Sequence, residues 1–248
     1  MAYERSILTH CREIDRCNQR GGRMLSVVDL VEAGTLSADL AATCLAAIGR
    51  GASLMVGALP GGAGKTTVMG ALLNFVPSDV ELIAADGPAA VRDGLQSPSP
   101  RRCFLCHEIG AGRYYAYLWG RALREYFGLA GAGHMLATNL HADTYDQARA
   151  QVCGQNEVPE DAFRRMNLML FLSVRRDGRR RIERVWESDG ERPHRLIHEA
   201  GAKGLIEPSR LVGEQDLATA RRTIDKLLAD GRRTIEDVRA MIVQSRSR

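Results

Sequence analysis

The sequence predicts an α/β fold built on a mostly parallel sheet, followed by a helical C-terminal extension. Three observations carry this. Continuous apolar runs at 53–58, 80–85, 103–106, 134–140, 169–174 and 182–186 have the length and composition of buried strands. Segments with helical patterning lie between them, at 65–75 and 114–127, and strands alternating with helices argue a parallel sheet. The turn from the first run into its helix reads GALPGGAGKTT, a glycine-rich loop ending in Gly64-Lys65-Thr66.

In chain order, residues 1–22 read as a short polar leader ending in Gly21-Gly22. Leu25, Val27, Val28, Leu30 and Val31 follow, and then Leu36, Leu40, Cys44, Leu45 and Ile48 recur at steps near four, as on an amphipathic helix. Ser37 is its expected N-cap and Gly51 its stop. The first strand is 53–58, and the helix after it ends at Pro77. Residues 93–102 form a polar, proline-containing loop. From Glu207 the chain turns helical again, and Thr234 caps a last helix whose stripe is Ile235, Val238, Met241 and Ile242. The tail SRSR is expected to fray. The implied organisation is a leader and helix over 1–50, the core over 51–200 and the helical extension over 201–248.

Composition excludes several classes. The chain has 248 residues, enough for one large α/β domain or one domain with appendages, and 45% of them are apolar. A net charge of +4, from 34 basic and 30 acidic residues, is too small to imply nucleic acid. No apolar run approaches the ~20 residues of a membrane span, and the charged first residues lack a secretory core, so a cytoplasmic protein is expected. Six cysteines would then be reduced. Cys103-x-x-Cys106-His107 matches a haem-attachment pattern, but that chemistry needs export, and the run also reads as a buried strand. A zinc site drawing on Cys11 and Cys17 would have loose spacing.

The glycine-rich loop departs from the Walker A pattern at one point, since Leu59 stands where the first glycine belongs. Gly61, Gly62, Ala63, Gly64, Lys65, Thr66 and Thr67 otherwise keep the order that lets backbone N–H groups and a helix N-terminus surround phosphate oxygens. Lys65 would add a charge at the β- and γ-phosphates, and the Thr66 hydroxyl would bind Mg²⁺. The bland alternative is a glycine-rich turn with a surface lysine. A second element is Glu108, a carboxylate ending a strand expected beside the loop strand, where it can position water or the Mg²⁺ shell. His107 precedes it without an assignable role. A third is GHMLATNLHAD, in which His134 begins an apolar run and His141 ends it. Ligands bind at the carboxyl edge of such sheets, which would bring His141 near a terminal phosphate.

Taken together, Gly64-Lys65-Thr66-Thr67, His107-Glu108-Ile109, Gly133-His134 and Thr138-x-x-His141-Ala142 resemble the ordered boxes of the ATPases of type II and type IV secretion, type IV pili and the archaellum. The resemblance extends over roughly 25–245 and looks most like archaeal members. It implies a RecA-like P-loop NTPase core that binds and hydrolyses ATP with Mg²⁺. In that reading Glu108 orients or activates water and Asp86 helps hold Mg²⁺ with Thr66 and Glu108. His134 and His141 sense the γ-phosphate. It also implies a homo-oligomer, a hexameric ring, docked on a membrane platform protein at the inner face of the membrane, with nucleic acid an unlikely partner.

The departures are specific. The acidic box of the family survives here as AADGPAA, with Asp86 alone, and Gly110 stands where an arginine is expected. The large N-terminal domain that supplies arginines to a neighbouring subunit has little counterpart. Such an arginine is worth ~10³–10⁵ in rate, so hydrolysis is expected to be slow or assembly-dependent, with Arg113, Arg121 and the arginines of 175–181 as unranked donors. Two rivals stand beside the motor reading. One is a nucleotide-binding regulatory subunit, and the other a nucleic-acid-dependent ATPase of the same core type.

Overall fold

The computed structural model describes residues 2–18, 21–97, 99–112, 114–202 and 204–246. Helices α1 (Ala2–Arg16), α2 (Val27–Glu32) and α3 (Ala38–Gly49) precede strand β1 (Leu54–Gly57) and helix α4 (Lys65–Leu73). Then come β2 (Glu81–Ala84), α5 (Pro88–Gln96), β3 (Arg102–Ile109), the short β4 (Tyr117–Leu118), α6 (Arg121–Gly131) and β5 (Met135–Leu140). Helix α7 (Tyr145–Arg149) runs into a π-helical turn (Ala150–Gln155), followed by α8 (Glu160–Arg164) and strands β6 (Leu168–Val174), β7 (Arg180–Glu187) and β8 (Arg195–Glu199). Two helices, α9 (Glu214–Ala229) and α10 (Ile235–Arg246), close the chain.

The sheet order is β2-β3-β5-β1-β6-β7-β8, with β4 beside β3. The strands from β2 to β6 are parallel, and β7 and β8 add antiparallel to one side. This is an α/β fold with a mostly parallel sheet and a glycine-rich loop joining β1 to α4. The strand carrying Glu108 does not lie next to β1, as the sequence reading expects, because β5 is inserted between them. The inserted strand keeps the levels aligned, with Ile109 opposite Leu140 and Leu140 opposite Gly57. The carboxyl ends of β3, β5 and β1 therefore share one edge.

Alternate residues of each strand point to opposite faces, and two apolar layers follow. Leu54 and Val56 face α3, α4 and the C-terminal helices, and Met55 faces the α6–α8 side. The same alternation puts Cys103 in one layer and Cys106 in the other, so the pair cannot share a haem or a metal. Both thiols are pushed up to about 12 by burial and are inert. Among the described residues no group of three or more metal-binding side chains converges, and no helix is long and apolar enough to cross a membrane.

Several expectations change. The polar leader is instead α1, whose Ile7, Cys11 and Ile14 recur at helical spacing and join the main core. Its charges sit on the outer face, which is why the segment reads as polar. The helix expected over 114–127 starts only at Arg121, since Tyr117 and Leu118 pair with β3 and Gly120 turns the chain at φ +59°. Part of the loop expected over 93–102 is the end of α5, opened by Pro88 at its first turn. Ser245 and Arg246 continue α10, while Ser247, Arg248 and Arg113 lie outside the described residues. The C-terminal helices share one core with the sheet through Ile224, Leu227, Val238 and Ile242.

Candidate functional site

The loop after β1 is shaped by backbone constraints before any side chain acts. Gly62 and Gly64 sit at φ +84° and +97°, where a side chain is strained, and Gly64 leads directly into α4. The first N–H groups of α4 thus face the loop with the positive end of the helix dipole. Gly57, two residues before Leu59, is also required. A Cβ there would lie 2.6 Å from the Ala142 carbonyl and 2.8 Å from the Phe171 ring.

Leu59 does not fill the cradle. Its side chain is 48% exposed, and only its backbone is used. Its N–H donates to Asp143 Oδ1 at 2.6 Å, and its carbonyl lies 2.9 Å from His141 Nδ1. The loop is therefore clamped beyond the end of β5 through main-chain groups that any residue except proline would supply at 59.

A cavity of about 910 Å³ opens over the loop, lined by Gly61, Gly62, Ala63, Gly64, Lys65, Thr66 and Thr67. Glu108 and His141 join them from the carboxyl ends of β3 and β5. Lys65 Nζ lies 3.6 Å from Glu108 Oε1, 3.2 Å from the Ala58 carbonyl and 3.3 Å from His141 Nδ1. His141 Nε2 lies 3.7 Å from the same carboxylate oxygen. The imidazole Nδ1 can donate to Leu59 or accept from Lys65, so a change of tautomer exchanges one partner for the other. Burial pushes the Glu108 carboxyl above the ordinary carboxylate range, against the opposite pull of Lys65, His141 and His107. Its Oε1 is buried without a hydrogen-bond partner, an acceptor with spare capacity on a residue that lines the cavity.

His107, left without a role by the sequence, ties the N-terminal segment to the site. Its Nε2 donates to the Cys17 carbonyl at 2.8 Å, while its own carbonyl accepts from Asn139 Nδ2 at 2.9 Å. Asn18 and Arg23 then line the cavity mouth, with Arg23 held by Asp29 at 2.8 Å. From the other side the turn between β6 and β7 overhangs the loop, bringing Arg179 and Arg180 to the cavity. Sequence reasoning leaves Arg180 unranked and omits Arg23, because nothing local says which turns meet over the loop.

Two expected residues are not brought to this site. His134 lies at the amino end of β5, the length of the strand away from His141, or roughly 20 Å at the usual rise. It is buried and spent on structure. Its Nδ1 accepts from the Arg102 N–H at 3.1 Å, and its Nε2 donates to the Gly94 carbonyl at 2.9 Å. Asp86 follows the edge strand β2, three strand positions from β1 or roughly 14 Å. It is exposed and lines a separate cleft with Arg16 and Tyr115.

No family profile matches the chain, and neither does any curated protein. Among solved structures it is similar to the VirB11 ATPase from the Brucella suis type IV secretion system, solved with sulphate, at 22% identity and a TM-score of 0.46 over 64% of this chain and 54% of that one. It is also similar to the Legionella pneumophila ATPase DotB, at 12% identity and a TM-score of 0.36 over 87% of this chain and 57% of that one. The chain spans little more than half the length of each. Likeness at this level adds nothing to the chemistry, which rests on the site.

Proposed function

We propose that this chain binds ATP with Mg²⁺ on 61–67 and hydrolyses it, as the core of a secretion- or pilus-type motor. One observation carries the reading. A lysine at a helix N-terminus, a buried carboxylate with an oxygen outside hydrogen-bond range of any partner, and a histidine converge on one glycine-rich cradle. A glycine-rich surface turn would need none of them.

In this reading the triphosphate displaces Glu108 as the partner of Lys65. Loop N–H groups and the start of α4 hold the phosphate oxygens. Glu108, relieved of the lysine, accepts a hydrogen bond from a water in line with the γ-phosphorus. The water oxygen bonds to that phosphorus, and the bond to the β–γ bridging oxygen breaks with its electron pair on ADP. The water proton passes to Glu108 and on to solvent. His141 follows the exchange, because Nδ1 can turn from Lys65 to the Leu59 carbonyl as the lysine leaves.

The residues present fit a Mg²⁺ ion held chiefly by the nucleotide. Thr66 lines the cavity in the first turn of α4, next to Lys65, and a Mg²⁺ ion keeps several waters and binds largely through phosphates. Thr66 would hold it directly and Glu108 through water, while Asp86 lies too far away to take part. Bound there, the ion would neutralise charge on the β- and γ-oxygens. By resemblance, the chain would work as a hexameric ring on a membrane platform protein at the cytoplasmic face.

A second reading, a regulatory subunit that binds nucleotide and scarcely turns it over, is favoured by the displacement of Asp86 from the site. Phosphate release by the purified chain separates the two. The motor reading expects turnover lost in both Lys65→Ala and Glu108→Gln. The regulatory reading expects ATP binding without measurable turnover in the wild type.

A further inference from the structure

We propose that Arg180 contacts the terminal phosphate from within the same chain and stabilises the charge that develops there during hydrolysis. This rests on the nucleotide reading above and goes beyond it, because the resemblance leads one to expect that arginine from a neighbouring subunit.

The topology brings the residue there. Strand β6 runs parallel to β1 and next to it, so its carboxyl end leaves the sheet on the phosphate edge. The turn into β7 is tight. Arg175 N–H donates to the Arg179 carbonyl at 2.8 Å, and Gly178 at φ +79° permits the reversal. Arg180 then opens β7 directly over the loop. Its Nη2 donates to the Gly62 carbonyl at 3.1 Å. Its stem lies across Gly64, where an added Cβ would come within 3.0 Å of Arg180 Cδ. Gly64 therefore serves two purposes, the positive φ and the seat of this arginine.

Charge bookkeeping separates Arg180 from its neighbours. Among the described residues three arginines line the cavity, namely Arg23, Arg179 and Arg180. Arg23 is paired with Asp29 at 2.8 Å, and Arg179 lies 3.9 Å from Asp177. Farther along β7, Arg181 is paired with Glu183 and Arg184 with Glu199. Among the described residues no carboxylate pairs with Arg180, whose acceptor is a neutral carbonyl of the phosphate loop. A guanidinium held this way exchanges a carbonyl for a phosphate oxygen without breaking an ion pair, and gains a charge-assisted bond. Its position beside Gly62 and Gly64 puts it where positive charge acts on the transferring group.

The consequence is a catalytic site complete in one chain, with ring assembly serving to transmit force or gate turnover. The test measures turnover and nucleotide affinity for Arg180→Ala, Arg180→Lys and the exposed, non-lining Arg176→Ala. Arg180→Ala should lower turnover about 100-fold or more, with ADP affinity within about threefold of wild type. It should also lose the tightening that aluminium fluoride gives to bound ADP, a readout that a merely structural role would not move. Arg180→Lys should recover part of the loss, and Arg176→Ala should behave as wild type. Mixing Arg180→Ala with Lys65→Ala should restore nothing. Turnover of Arg180→Ala within about threefold of wild type, while Lys65→Ala loses ATP, would overturn the arginine assignment and leave the nucleotide reading standing. Recovery on mixing would overturn its action in cis. ATP binding unchanged in Lys65→Ala would instead remove the nucleotide reading itself.

Discussion

Lys65 Nζ lies 3.6 Å from Glu108 Oε1, with both side chains only 7% exposed. The two groups that nucleotide chemistry needs apart hold each other in this state. In the proposed reading ATP competes with an internal carboxylate for the lysine, and its binding would release that carboxylate for water. Glu108→Gln removes the competing charge and keeps the shape. ATP affinity should rise by about threefold to tenfold, or roughly 0.7–1.4 kcal/mol, while turnover falls by about 100-fold or more. Titration calorimetry and phosphate release check the two halves separately.

The unusual residue of the loop should matter little. Leu59 contributes its backbone to Asp143 and His141 and leaves its side chain in solvent. Leu59→Gly should shift ATP affinity by no more than about tenfold, chiefly through added loop entropy of about 1 kcal/mol. Asp143→Ala removes the carboxylate that holds the Leu59 N–H and should weaken ATP binding more than Leu59→Gly does. A comparison of dissociation constants for the two variants checks the order.

Gly57 bears the steric constraint that the missing Walker glycine does not. A methyl group there meets the Ala142 carbonyl at 2.6 Å, backbone against backbone with no flexible end to yield. Gly57→Ala should cost about 1–3 kcal/mol of stability or more. Nothing lies within 4 Å of a Cβ on Gly61, so Gly61→Ala should shift stability by less than about 0.5 kcal/mol. Urea midpoints compare them.

Much of the candidate site was legible because its signals are local. The glycine loop, Lys65 and Thr66 lie in one stretch at fixed spacing, and the apolar runs marked β3 and β5 with Glu108 and His141 at their ends. What failed was long-range. His134 and His141 flank the same strand, and in a parallel sheet only the carboxyl end reaches the phosphate edge. Strand direction was enough to exclude His134. Asp86 was lost because the edge position of β2 is set by packing and is written nowhere near the residue. Helix α1 had a readable Ile7-Cys11-Ile14 spacing under its charges. Arg180 stood among five arginines in seven residues, and only the meeting of the β6–β7 turn with the loop singles it out.

His10 makes the docking of α1 sensitive to acid. The ring is buried against the Leu73 carbonyl at 3.0 Å, and burial, with Arg239 nearby, lowers its pKa from 6.5 to about 3. The folded state thus holds it neutral while the unfolded chain takes up a proton below pH 6.5. Its contribution is fully present above that pH and is lost as the pH falls toward about 3, at up to about 1.4 kcal/mol per pH unit. Urea unfolding at neutral and mildly acid pH should show the loss. His10→Gln, which keeps a donor for Leu73, should show a smaller one.

In the proposed reading the cradle over α4 binds and hydrolyses a nucleoside triphosphate. Phosphate release from Mg-ATP by the purified chain, measured beside Lys65→Ala, tests it most directly. Steady release is expected from the wild type and none above background from the variant, whose ATP binding should also be lost. Equal release by both proteins, or equal ATP binding with no release by either, would contradict it.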